Sequence, residues 1–407
     1  MKILFITPSF HHPTVRGPNH CYHFVKQLCS RHQISLLTLR RSAIAPAALE
    51  EVETYVEEMR IVDATVETPT TRMRGGTVAA LSRKLRGQMR FRAAVREMKL
   101  LFMEMVSDEP YDLVLFHGKS IYSVIEDWNG LPIAIYACDA TAMRYRDRMR
   151  WDGSAWKILL MGRYLYFSRI ERKMLKKSPH VAFASARDRD ASAGKGSGCR
   201  VVPIGVDVEF WQRRSRTPQR GCVVFTGVLS YGPNEDAALY LIEKIVPLVR
   251  PRVPGLEVLI VGREPTARLK KTASRHPNIV ITGFVNDVRT YLERASLFVA
   301  PMRYGSGVQN KVLEALAMEV PVVCTSVVAA GLPMDGVREP PVCIADGAEE
   351  IARSVVQLLG DEEECARAAV RGRRYVKEKC IWSNSAILLE KMLCEATGTQ
   401  VRQTTDS

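Results

Sequence analysis

Twelve short apolar runs constrain this 407-residue chain more than any other feature. The first half holds KILFIT, QISLLTL, YDLVLFH, LPIAIYA, HVAFAS and RVVPIG. The second holds GCVVFTG, LEVLIVG, NIVITG, ASLFVAP, VPVVCTS and PPVCIA. None alternates apolar with polar residues, and a longer stretch with helical spacing tends to follow. An unbroken apolar strand needs cover on both faces, which parallel sheets with crossover helices provide. Twelve strands are about twice what one doubly wound sheet needs, and the chain is too long for one ordinary core. The expected fold is α/β, with two Rossmann-like doubly wound domains facing a cleft. Strands pause at IGVDVEFWQRRSRTPQRG, where Pro, Gly and Arg cluster, so that segment marks the domain junction. The expected domains are 1–205 and 206–379, and 399–407 reads as a frayed tail.

Composition narrows the partners. Fifty-eight Lys and Arg against forty-four Asp and Glu give a formal net charge of +14. Such a charge attracts nucleic acid, an anionic membrane face or phosphorylated small molecules. The ten cysteines are scattered without a CxxC pair, which argues against a disulfide framework and for a reducing cytoplasm. His11, His12 and His20 follow the first strand, but Pro13 and Gly17 break any helical face, so their spacing predicts no metal site. A loop histidine is more often solvated than functional. MKILFITPS lacks a cleavage site and reads as a first strand, not a signal peptide. No apolar run approaches the roughly 20 residues of a spanning helix. The expectation is a cytoplasmic protein, peripheral at most.

Ligands of such sheets bind at the carboxyl ends of strands. One strand end stands out, in PMRYGSGVQNKVLEALAMEVPVV, residues 301–323. SLFVAP is the strand, MRYGSG its exit loop and VQNKVLEALAME a helix. Gly305 and Gly307 permit close backbone approach. With the helix N-terminus, Arg303 and Lys311 they suit an anion, and Glu314 suits a hydroxyl donor. A bare glycine-rich turn with a solvated glutamate is the plainer reading of these residues alone.

The wider context favours the first reading. VVFTGVLSYGPNEDAALYLIEKIVPLVR, LEVLIVGREP and the segment NIVITG through VPVVCTS resemble glycosyltransferase family 4, whose members are retaining enzymes of the two-domain GT-B fold. PNEDA and QNKVLEALA are similar to bacterial exopolysaccharide sugar transferases of the PEP-CTERM/exosortase-linked type. The resemblance is continuous over about 200–335 and weaker over 1–200. It implies a nucleotide-diphosphate sugar as donor, a glycan or lipid-linked acceptor, no metal cofactor, and a final helix (380–398) returning to the first domain.

The resemblance also implies roles. Glu314 matches the second glutamate of the family's E-x7-E motif, which holds the ribose hydroxyls. The first glutamate falls at Ser306, a departure that removes a carboxylate from the sugar site. The usual phosphate-binding Arg and Lys after the first strand of the second domain are absent. Arg303 and Lys311 are expected to neutralise the diphosphate instead, and are candidate catalytic residues with Asp139. Ser306, Gly307, Val308 and Gln309 are expected along the donor, and Gly283 and Phe284 at the base, although Phe284 is equally suited to the core. In the first domain Gly17 and Asn19 are expected near the diphosphate. Arg16 and His117 are acceptor-side candidates. Asp139 stands where many members have a histidine; it can orient or deprotonate the acceptor hydroxyl, or simply cap the following helix.

Two basic stretches remain. Residues 72–99 and 144–177 interleave Lys and Arg with Leu, Met, Phe, Tyr and Trp. That pattern suits peripheral contact with an anionic membrane at the inner face of the plasma membrane; a solvated helix face is the alternative, and nucleic acid is not expected. A nucleotide-sugar 2-epimerase of related fold and an inactive sugar-nucleotide or polysaccharide-binding protein are the other functional readings.

Overall fold

A computed structural model describes residues 1–14, 19–65, 77–151, 154–214 and 218–399, with side chains described from 85 and 156 onward in the two helices that start at Thr77 and Ser154. Two all-parallel sheets form the chain. The first comprises β1 (Lys2–Thr7), β2 (Gln33–Arg40), β3 (Glu58–Asp63), β4 (Leu113–His117), β5 (Ile133–Cys138), β6 (His180–Phe183) and β7 (Arg200–Val201). Its order is β3-β2-β1-β4-β5-β6-β7. The second comprises β8 (Cys222–Thr226), β9 (Glu257–Val261), β10 (Ile279–Gly283), β11 (Leu297–Ala300), β12 (Val322–Cys324) and β13 (Cys343–Ile344), in the order β10-β9-β8-β11-β12-β13.

All twelve apolar runs contribute a strand. β4, β8 and β11 are buried along their whole length, as double-sided helical cover requires. The thirteenth strand, β3, has no apolar run: Glu58 and Arg60 interrupt it and pair with each other. It lies at the sheet edge with one neighbour, β2, where charged residues are tolerated and protect against stray pairing.

The strand order reverses between β1 and β4 in the first sheet and between β8 and β11 in the second. Crevices form at such switch points, so the β1, β4 and β11 exits are where a ligand site is built. The chain crosses between domains twice, side by side: Val206 bridges to Ile381. Gly205 makes this crossing possible, since a Cβ there would lie 2.6 Å from the Trp382 backbone nitrogen. The last helix, Trp382–Thr397, then packs on the first domain, where the Trp382 ring stacks on His23 at 4.3 Å.

Candidate active site

After β11, the Asn310–Ala317 helix buries Val312, Leu313 and Leu316 and turns its polar face outward. Lys311 and Glu314 are three residues apart and therefore neighbours on that face. The Lys311 ammonium donates to Asn234 Oδ1 and sits 4.8 Å from the centre of the Phe225 ring. Burial pushes its pKa down to about 7, against the attraction of Glu314. Burial likewise pushes Glu314 up to about 7, against the attraction of Lys311. Neither has an ion-pair partner among the described residues. Glu314 lines a cavity of about 280 Å³ between the domains, together with Asn19, His23, Asp207, Trp211 and Trp382. Glu314 and Asn19, far apart in sequence, thus face the same space.

The glycine loop before the helix meets carboxylates of the first domain. Ser306 Oγ donates to Asp139 Oδ2 at 2.7 Å. The Gly307 N–H lies 3.1 Å from both oxygens of Asp188. Gly307 has φ +72°, a left-handed conformation that favours glycine, and a Cβ there would stand 3.5 Å from the Asp139 Cβ. Arg187 adds bonds to the carbonyls of Gly305 and Val327, at 3.2 and 3.1 Å. Gln309 braces the loop by donating to the Ser306 carbonyl at 3.3 Å.

Asp139 follows Cys138, which turns the chain out of β5 at φ +64°. Its carboxylate pairs with Lys119 at 3.0 Å and Arg144 at 3.5 Å, and accepts from Thr141 Oγ1 at 2.8 Å. Burial alone would raise its pKa; Lys119 and Arg144, with the bonds from Ser306 and Thr141, hold it below the usual carboxylate range. It does not cap the Thr141–Arg148 helix. Asp188 accepts the Ala140 N–H at 2.8 Å and Glu171 the Ala142 N–H at 3.2 Å. Asp188 itself is raised by burial and by Asp139. Sequence reasoning missed Asp188, Arg187 and Lys119. The first had a signal: Ser185-Ala-Arg-Asp188 after β6 resembles a capping box, and Ser185 Oγ does accept the Asp188 N–H at 3.1 Å.

Several expectations are corrected. Arg303 does not turn to the Glu314 cavity: Asp236 holds its guanidinium, which lies 4.5 Å from the Trp151 ring centre and 4.9 Å from that of Tyr240. His117 is buried, with its ring between the Tyr136 carbonyl and His20, and so does not face an acceptor. Val308 packs into the core. Phe284 is 71% exposed, not core, and neither it nor Gly283 lines the Glu314 cavity. His11 and His12 are buried, not solvated. Arg16 and Gly17 lie outside the described residues, as does part of the first basic stretch. Among the described residues, metal-ligating side chains gather at His11, His20 and Cys21.

The fold is that of GT-B glycosyltransferases. Sucrose-phosphate synthase from Thermosynechococcus elongatus superposes with a TM-score of 0.72 at 14% identity, over 98% of this chain and 99% of that one. The Anabaena HepE protein, solved with UDP and glucose, gives 0.65 at 13% identity, over 97% and 100%. Residues 220–361 match the family model described as Glycosyl transferases group 1. A Bacillus subtilis protein named as a teichuronic acid biosynthesis glycosyltransferase, TuaC, is 30% identical over 174 residues, which are 40% of this chain and 42% of that protein. A 44.6 kDa Klebsiella pneumoniae protein from the cps region is 22% identical over 260 residues, 60% of this chain and 63% of that protein. The chain thus spans less than two thirds of the length of either relative.

Proposed function

We propose that this protein transfers a sugar, with retention of configuration, from a nucleotide-diphosphate donor to a glycan or lipid-linked acceptor in bacterial exopolysaccharide or cell-surface polysaccharide assembly. One observation carries the reading: Glu314 faces the interdomain cavity with Lys311 half-buried beside it on the same helix, each shifted by burial against the attraction of the other. A partly desolvated ammonium next to a carboxylate fits a ligand with an anionic group next to hydroxyls. A nucleoside diphosphate has both. The group 1 match over 220–361 and the TuaC likeness support sugar transfer, and the HepE complex with UDP supports this class of donor.

In this reading Glu314 accepts the ribose hydroxyls and Lys311 offsets the charge that grows on the departing diphosphate, an electrostatic contribution made without reorganisation. Ser306 replaces a glutamate, yet Asp139 brings a carboxylate to Ser306 from across the cleft. A carboxylate held so acidic is a poor base; Asp139 suits orientation of a hydroxyl better than removal of its proton. Closure of the domains excludes water and limits donor hydrolysis.

The test is a thermal-shift screen of nucleotides and nucleotide sugars followed by a transfer assay with lipid extracts. A donor at 100 times its Kd should add about 2.7 kcal/mol of apparent stability, and Glu314→Gln should reduce that gain. Epimerisation of the donor alone would instead favour the 2-epimerase, and binding without any transfer the inactive binding protein.

A further inference from the structure

Four buried side chains from three parts of the first domain meet at the exits of β1 and β4. His11 lies beyond β1, His20 and Cys21 open the His20–Leu28 helix, and His117 ends β4. They are 5%, 4%, 2% and 8% exposed, respectively. Ligand atoms of His11, His20 and Cys21 all lie within 4.8 Å of one another, and the Nε2 atoms of His20 and His117 are 3.1 Å apart.

The hydrogen bonds fix where the protons sit. His117 Nδ1 is 2.8 Å from the Tyr136 carbonyl, which can only accept, so the neutral ring presents a lone pair at Nε2. An imidazole anchored this way through its other nitrogen is the usual arrangement of a metal ligand. The Cys21 N–H donates to His11 Nδ1 at 3.3 Å, which leaves His11 Nε2 buried without a partner. Such an orphan is unfavourable until a partner is supplied.

We propose that His20, His117, Cys21 and His11 hold one zinc ion, or another cation of the same borderline-soft class. Two nitrogens bound to zinc at tetrahedral angles stand about 3.4 Å apart, so the His20–His117 pair needs only a small adjustment, while the wider spread to His11 and Cys21 must contract. His20 takes the Nδ1–H tautomer, and the His11 ring turns to present a lone pair, giving up its long contact to Cys21. The Cys21 thiol releases its proton to solvent. The resulting thiolate offsets one positive charge at a helix N-terminus, where a bare dication is disfavoured. A nitrogen and sulfur donor set does not suit magnesium or calcium. Spacing within 11–20 could not reveal the group, because His117 arrives from β4. The ion would pin the loop after β1, whose Pro13 and Asn19 line the interdomain cavity.

The test uses the full-length protein, stripped with a chelator and titrated with Co²⁺ as a spectroscopic probe, then with Zn²⁺. One equivalent should bind, with a thiolate-to-cobalt charge-transfer band and tetrahedral d–d bands, and zinc should displace it. Cys21→Ser should abolish the charge-transfer band, and His117→Gln should lower zinc affinity at least about tenfold. Cys21→Ser keeps the side-chain volume, so it decides the matter even where His117→Gln fails to fold. No binding at one equivalent, a spectrum without a thiolate band, or a band unchanged in Cys21→Ser would overturn the proposal.

Discussion

Asp139 in the first domain accepts a 2.7 Å hydrogen bond from Ser306 in the second, and the two ends of that bond are held very differently. Ser306 rides on a glycine loop. Asp139 is fixed by Lys119, whose side chain is 7% exposed and whose other carboxylate, Glu171, is 3.7 Å away. Asp139→Asn should therefore cost about 3–5 kcal/mol, because it leaves a buried ammonium short of its counter-charge. Ser306→Ala removes one hydrogen bond and should cost about 1 kcal/mol. Urea unfolding of the two variants separates them. Since the folded pKa of Asp139 is depressed, its contribution is present above the unfolded value of 3.8 and is lost as pH falls below it. The stability gap between wild type and Asp139→Asn should hence narrow only in acid.

Lys311 and Glu314 predict a bell-shaped donor affinity. Glu314, raised to about 7, becomes a carboxylate as pH rises through that value. Lys311, lowered to about 7, loses its charge over the same range. Binding that needs both charges should be strongest near neutrality and fall on either side. Glu314→Gln should flatten the acidic limb and Lys311→Met the alkaline one, each with a weaker maximum. Calorimetric titration of UDP at several pH values checks this; an unaltered profile in both variants would remove the pair from the site.

The same helix shows how far the sequence could be read. Glu314 and Asn19 were legible because each follows a strand end at a switch point, and parallel topology brings those ends together. Arg303 was not legible. Its distance along the loop from Lys311 says nothing about Asp236, which lies on the Gly232–Tyr240 helix and takes the guanidinium away. Asp188 escaped because its carboxylate bonds to backbone N–H groups in both domains, a role that no spacing encodes. β3 escaped for another reason: an edge strand is excused the apolar pattern that identified the other twelve.

Arg303→Ala should leave nucleotide affinity within about threefold of wild type, since the guanidinium is spent on Asp236 and two aromatic faces. The loss should appear in stability instead, by roughly 1–2 kcal/mol, from lost packing and a half-buried carboxylate left alone. Parallel measurement of UDP binding and urea unfolding distinguishes these effects. A tenfold loss of affinity without loss of stability would return Arg303 to the donor site.

The Ser154–Lys177 helix exposes several large apolar side chains. Trp156, Ile158, Leu159, Leu165 and Tyr166 are each more than half exposed, at 63, 83, 51, 55 and 54%. Lys157, Arg163 and Arg169 are exposed beside them. Among the described residues no helix is long and apolar enough to cross a membrane, but exposed apolar side chains interleaved with cations suit the interface of an anionic bilayer. Each cation at such a surface contributes about 1 kcal/mol and is screened by salt. The protein should thus sediment with vesicles rich in anionic lipid at low salt, less with neutral vesicles, and less still at high salt. Trp156→Ser with Ile158→Ser should weaken sedimentation at every salt concentration, because burial of apolar surface is not screened. Arg163→Gln with Arg169→Gln should weaken it mainly at low salt. Loss of the salt dependence in the serine pair, or sedimentation insensitive to both pairs, would assign the helix to another contact.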